Sequence, residues 1–208
     1  MSLVTTWGYT LADADALAPM LSEADFNAIT ANKYAGDARI QPNLDAACMA
    51  IRNWCGWHIF PALACTLSER LLAGNGRVKR VGADLLIQLP ATHVTAVTSV
   101  TLDGMAHEDY DLATGGILRL FDVGRTDRKT RLAVAYTAGL PDGLMDGIQE
   151  LIAHRVTHAL ASSAGVQSES AGGVSITYSA NWINSARSTA LPDDNKEVLA
   201  PYRVRGVF

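Results

Sequence analysis

The sequence predicts an α+β fold: a mainly helical core of antiparallel helices with a small antiparallel β region inserted between them. Two patterns and one bound predict it. Apolar residues recur at three and four positions from Leu44 to Cys55 and again from Leu144 to Leu160, the spacing of a helix with one face on a core. From Thr66 to Ala138 the period drops to two, in short Thr- and Val-rich runs broken by Gly and Asp turns. A chain of 208 residues, 49% hydrophobic and 18% charged, has enough apolar material for one sizeable core, so the expectation is a single domain over residues 1–208.

Residues 1–18 contain "LADADALA" and no strong periodicity, and read as a loosely held N-terminal arm. Ser22 with Asp25 three positions on has the pattern of a capping box, which starts a short helix burying Phe26 and Ile29. Gly36, Pro42 and Asn43 mark a connection into the second helix. That helix carries Leu44, Ala47, Cys48, Ile51, Trp54 and Cys55 on one stripe. Together these segments make the core helices of 22–58.

Gly56 suits the left-handed residue that follows a helix, and Pro61 cannot continue one. The cluster Trp54, Cys55, Gly56, Trp57 and His58 therefore reads as a packed helix end, with Trp54 in the core and His58 flanking the terminus. A Cys–His enzyme is the competing reading. It needs an exposed thiol beside His58 and a third group to orient the ring, and no orienting group is evident nearby.

In the β region of 66–138, "TLSERLLA", "DLLIQLP", "HVTAVTSVTLDG", "EDYDLAT", "GILRLF" and "RLAVAYTAG" read as strands. "GNGRVKRVG" lacks the glycine spacing and the following helix of a phosphate loop, and reads as a hairpin tip exposing Arg77, Lys79 and Arg80. The second core helix, within 141–164, sets Leu144, Ile148, Leu151, Ile152, Ala159 and Leu160 along one face. His154 and His158 stand four apart but lack the glutamate of a zinc protease motif. Arg155 falls in the middle of the apolar stripe, so it must snorkel or form a buried ion pair with a carboxylate. Residues 165–208 read as a β arm, a short helix near 193–200 and a C-terminal tail.

Composition narrows the function further. A formal charge of -4 gives no broad attraction for phosphate backbones. No run approaches the ~20 apolar residues of a membrane span, and "MSLVTTWGYT" lacks a basic start and an apolar stretch, so the expectation is a cytosolic chain without membrane contact. Three cysteines without a CxxC motif argue against a disulfide framework or a structural zinc, and no catalytic, cofactor-binding or metal-binding residues are expected.

The ordered series "AACMAIRNWCGWHIFP", "LPATHVTAVTSVTLDG", "DYDL", "LAVAYTAGLPDGLMDGIQELIAHRV", "ESAGGVSITYS" and "LAPYR" resembles the head-to-tail adaptor (head-tail connector) proteins of tailed phages and prophages, particularly those of actinobacterial hosts. The match runs from Leu21 to Arg205. The resemblance implies a virion structural protein, not an enzyme. It implies a ring homo-oligomer, a dodecamer in the virion, seated under the portal protein and presenting a surface to the head-closure (stopper) protein. Duplex DNA would pass through without specific binding. Assembly would take place in the host cytoplasm and the mature location would be the virion neck. A stopper-type or tail-completion protein of the same neck is the nearest alternative. In the tail, which includes Tyr202, apolar contacts come from Val204, Val207 and Phe208 while Arg203 and Arg205 fall on the alternate side of an extended strand, which suits strand addition or docking on an acidic portal surface.

Overall fold

The computed structural model describes residues 3–4, 7–13, 17–71, 76–124, 126, 129–161, 168–171, 174–177 and 191–204. Arg205 and Phe208 lie outside the described residues. The chain forms two compact units. A sheet unit draws on residues up to Ala18, on Cys55–Pro141 and on Tyr202 onward; a helical unit comprises Pro19–Trp54 and Asp142–Pro201.

The fold class expected from the sequence is overturned: this is a sheet-rich chain, not a mainly helical core with a small β insertion. The sheet unit holds a six-stranded antiparallel sheet built from β1 (Leu3–Val4), β2 (Thr10–Leu11), β3 (Leu63–Arg70), β6 (Val94–Leu102), β7 (Met105–Ala106) and β10 (Arg131–Ala138), in the order β1-β2-β3-β10-β6-β7. A four-stranded sheet orders β4 (Val78–Val81), β5 (Asp84–Gln88), β9 (Ile117–Leu120) and β8 (Tyr110–Ala113) as β4-β5-β9-β8. The six stretches read as strands are strands. Sequence periodicity does not show their partners. The central strand β10 pairs along its length with β3, from Arg131↔Arg70 to Ala138↔Leu63. Pairings so distant in sequence place β10 in the middle of the sheet, between β3 and β6.

Alternation dictates that core. Along β10, Leu132, Val134, Tyr136 and Ala138 are buried while the residues between them are at least partly exposed, as a pleated strand with one face inward requires. Asp103 and Gly104, both at positive φ, make the two-residue turn joining β6 to β7, where the right-handed strand twist favours left-handed turn residues. In the segment read as a hairpin tip, Val78–Val81 form the edge strand β4 and the turn to β5 lies at Gly82–Ala83, while residues 74 and 75 lie outside the described residues; Lys79 and Arg80 are exposed and Arg77 is half-buried.

The segment read as an arm supplies β2, which pairs Thr10↔Thr66 and Leu11↔Cys65, and buries Tyr9 and Leu11. The alternation of Trp7, Tyr9 and Leu11 is the strand signal hidden ahead of "ADADALA".

The helical unit contains α1 (Glu23–Ile29), α2 (Ile40–Cys55, helical-unit residues through Trp54), α3 (Asp146–Ala161) and α4 (Asp193–Leu199), with a hairpin of β11 (Ser168–Ala171) and β12 (Val174–Thr177). Ser22 caps α1, its hydroxyl accepting from the Asp25 N–H at 3.1 Å. Phe26 is buried as expected, but Ile29, in the last turn, is 52% exposed. Pro42 sits in the first turn of α2, where no intrahelical N–H is lost. Leu44, Ala47, Cys48 and Ile51 are buried along α2, and Ile148, Leu151, Ile152, Val156 and Leu160 along α3, whereas Leu144, expected on the same face, lies in the turn before α3 and is 50% exposed. Helix α3 packs against α1 and α4.

Candidate functional site

Helix α2 ends at Cys55, and Gly56 follows at φ +80, a conformation that costs an L-residue with a Cβ roughly 1 kcal/mol or more. The reversal decides which tryptophan is buried. Trp57 is 0% exposed, whereas Trp54, expected in the core, is only half-buried. Helical spacing up to Cys55 puts Trp54 beside the apolar stripe, but the stripe's rule stops at the glycine. The residues after it enter the interior of the sheet unit.

Trp57 is held there by its polar edge. The indole Nε1–H donates to the Tyr202 carbonyl at 2.6 Å, which the Thr92 hydroxyl also approaches at 3.4 Å. Two residues on, the Val204 N–H donates to the Cys55 carbonyl at 2.9 Å, satisfying one of the carbonyls that every helix leaves open at its C-terminus. The side chain of Val204 lies over Gly56. Tyr202 and Arg203, expected in a docking tail, are therefore the start of that tail and are anchored to the helix-end cluster. Its residues Arg205, Val207 and Phe208 fall outside the described chain.

His58 is 0% exposed. Its Nε2 lies 2.8 Å from the Ala138 carbonyl, which can only accept, so Nε2 carries the proton. Nδ1 then accepts from the Tyr9 hydroxyl at 2.7 Å, and the same hydroxyl oxygen accepts from the His58 backbone N–H at 3.0 Å. Both ring nitrogens are committed, which leaves neither as a base or a metal ligand. His58 ties the first segment of the sheet unit to β10 rather than flanking the helix from outside. The third group is Tyr9, which sequence reading missed because it lies 49 positions away.

Burial also holds the three thiols in their protonated form. Burial pushes Cys55 up to about 12 against the opposing pull of the Arg203 charge, and pushes Cys65 up to about 12 as well. Cys48 is raised by burial too. All three are free, buried and protonated near neutral pH.

On α3 the His154 and His158 rings meet edge to face, with centroids 4.6 Å apart. Burial and then the neighbouring His154 lower the pKa of His158. Among the described residues no group of three or more His, Cys, Asp or Glu side chains is placed to hold a metal ion. Arg155 is half-buried on the same helix, and burial lowers its pKa.

The arrangement gathers a helix end, the first strand segment, β10 and the start of the tail within the sheet unit. No model of a known protein family matches the chain, and no curated protein matches it significantly.

Proposed function

We propose that the chain is a head-to-tail adaptor of a tailed phage or prophage: a structural protein of the virion neck that forms a ring under the portal, meets the head-closure protein and lets duplex DNA pass without specific binding. One observation carries the reading. Two of the motifs that make up the resemblance, "IRNWCGWHIFP" and "LAPYR", lie far apart in the chain and are joined through the Trp57 to Tyr202 hydrogen bond across 145 positions. The bond gives the tail a fixed point of departure on the sheet unit. A buried, fully bonded histidine and protonated thiols suit a part that transmits load and performs no chemistry.

The test is to mix the purified chain with portal rings and image the product by electron microscopy. The expected result is an added ring with the portal's symmetry. Two variants probe the tail: deletion of residues 203–208, and the full-length double substitution Arg203→Glu with Arg205→Glu, which keeps the Val204 backbone bond. Both are expected to fold and to lose portal binding. Binding of the wild type only to a preassembled portal and adaptor complex would make it a stopper and overturn the proposal, as would no binding to either.

A further inference from the structure

Charge is divided unevenly between the two units. The sheet unit has eleven Lys and Arg against ten Asp and Glu, the helical unit six against eleven. The excess of cations in the sheet unit has a focus. Arg70 at the end of β3 and Arg131 at the start of β10 are direct cross-strand partners, both exposed. Like charges placed so are destabilising in an isolated chain. Arg80 lies on β4, an edge strand of the other sheet, and its guanidinium spends its donors on neutral acceptors in the connection that leads to Arg131: the Val123 carbonyl at 3.0 Å, the Gly124 carbonyl at 3.1 Å and the Thr126 hydroxyl at 2.7 Å. These bonds hold β4 to the connection between β9 and β10, which also carries the exposed Lys129. Among the described residues none of Arg70, Arg80 and Arg131 is in an ion pair. Two exposed carboxylates border the surface, Asp103, which accepts from the Arg131 N–H at 2.7 Å, and Asp122.

The helical unit has the complement. Glu23 and Asp25 open α1, while Asp142, Asp146 and Glu150 surround the start of α3; all five are exposed and none is in an ion pair among the described residues. The Gln149 side-chain amide donates to the Met20 carbonyl at 3.3 Å, which brings the two helix starts to one end of the unit.

We infer that the Arg70, Arg80, Lys129 and Arg131 surface of one copy docks on the acidic end of the helical unit of a second copy. The contact is heterologous, one face against a different face, the kind that repeats around a ring. It rests on the adaptor reading and names the copy-to-copy surface within it. A second copy is favoured over nucleic acid because the chain is acidic as a whole and carboxylates border the basic surface, whereas the opposite face is present on every copy at equal concentration.

The experiment uses the full chain and sedimentation velocity over a range of protein concentration, at salt from about 0.05 M to about 1 M, where the screening length falls to roughly 3 Å. The wild type is expected to self-associate at low salt and to dissociate at high salt. One variant carries Arg70→Glu and Arg131→Glu, a second Asp146→Lys and Glu150→Lys; each is expected to associate at least about tenfold more weakly alone. Mixed, the two restore association, because each reversed face then meets its opposite. Thermal melts confirm that both variants fold. A wild type that stays monomeric, association indifferent to salt, or a mixture no better than its parts would overturn the inference. So would retention of duplex DNA that is lost in Arg70→Glu with Arg131→Glu while association is unchanged. Portal binding is read in parallel: binding without salt-sensitive association overturns this contact alone, and salt-sensitive association without portal binding overturns the adaptor reading alone.

Discussion

The rings of Tyr9 and Tyr136 stand with centroids 6.4 Å apart in the interior of the sheet unit, and their hydroxyls have opposite fates. The Tyr9 hydroxyl both donates to and accepts from His58. The Tyr136 hydroxyl is buried without a hydrogen-bond partner among the described residues, and burial raises its pKa. Tyr9→Phe is expected to cost about 2–4 kcal/mol, because it strands a ring nitrogen and a backbone N–H. Tyr136→Phe removes an unsatisfied group and is expected to be neutral or to stabilise by up to about 1 kcal/mol. Urea unfolding of the two variants checks this; a Tyr9→Phe protein as stable as wild type would contradict it.

The two tryptophans flanking Gly56 are expected to separate in the same measurement. Trp57→Ala empties a fully buried site and should cost about 3–5 kcal/mol. Trp54→Ala, at a half-buried site, should cost clearly less. Equal losses would mean that the helix stripe, and not the residue after the glycine, carries the packing.

Glycine substitutions distinguish conformation from crowding. At Gly56 an added Cβ meets only Val204, at 3.9 Å, so Gly56→Ala should cost about 1–2 kcal/mol, the left-handed backbone alone. At Gly139 the same methyl would run into the backbone of Pro61 and Ala62, and φ is +151. Gly139→Ala should therefore be the more damaging by a clear margin in thermal melts. The reverse order would refute the packing of Gly139 against that backbone.

Alkaline pH should weaken the fold through the thiols. Cys55 and Cys65 ionise near 12 in the folded chain and near the ordinary thiol value when unfolded. Above that ordinary value the unfolded state releases protons that the folded state keeps, so stability is complete below about pH 8.5 and falls as pH rises toward 12. The slope is about 1.4 kcal/mol per pH unit for each thiol. Unfolding curves between about pH 8 and 11 test it, and Cys65→Ala should flatten the slope; a slope unchanged by that substitution would rule the thiol out.

Local pattern made most elements legible. The spacing of Leu44, Ala47, Cys48 and Ile51 identifies α2, alternation identifies β10, and Asp103–Gly104 marks the turn from β6 to β7. What remained hidden were relations between distant positions. Tyr9 looked like part of a loose arm because its partner, His58, is 49 positions on. The helical stripe points to Trp54 and is silent on Trp57, because a helical wheel has nothing to say about the side chains after Gly56. The fold class failed for the same reason: strands were read as an insertion because Leu63↔Ala138 pairing leaves no local trace. In the candidate site, the cluster from Trp54 to His58 and the tail from Tyr202 were both singled out, but not that one anchors the other.

The bond between Trp57 and Tyr202 also imposes a timetable on folding. Turns such as Gly82–Ala83 and Asp103–Gly104 bring neighbours together and can close as soon as they are made. The Trp57 indole cannot reach its acceptor until some 145 further residues have been translated. A nascent chain halted before that point would present an indole N–H without its acceptor and a helix end without its Val204 cap, a surface suited to chaperone capture. In refolding experiments the slowest change in tryptophan fluorescence is expected to come from Trp57 and to disappear in Trp57→Phe.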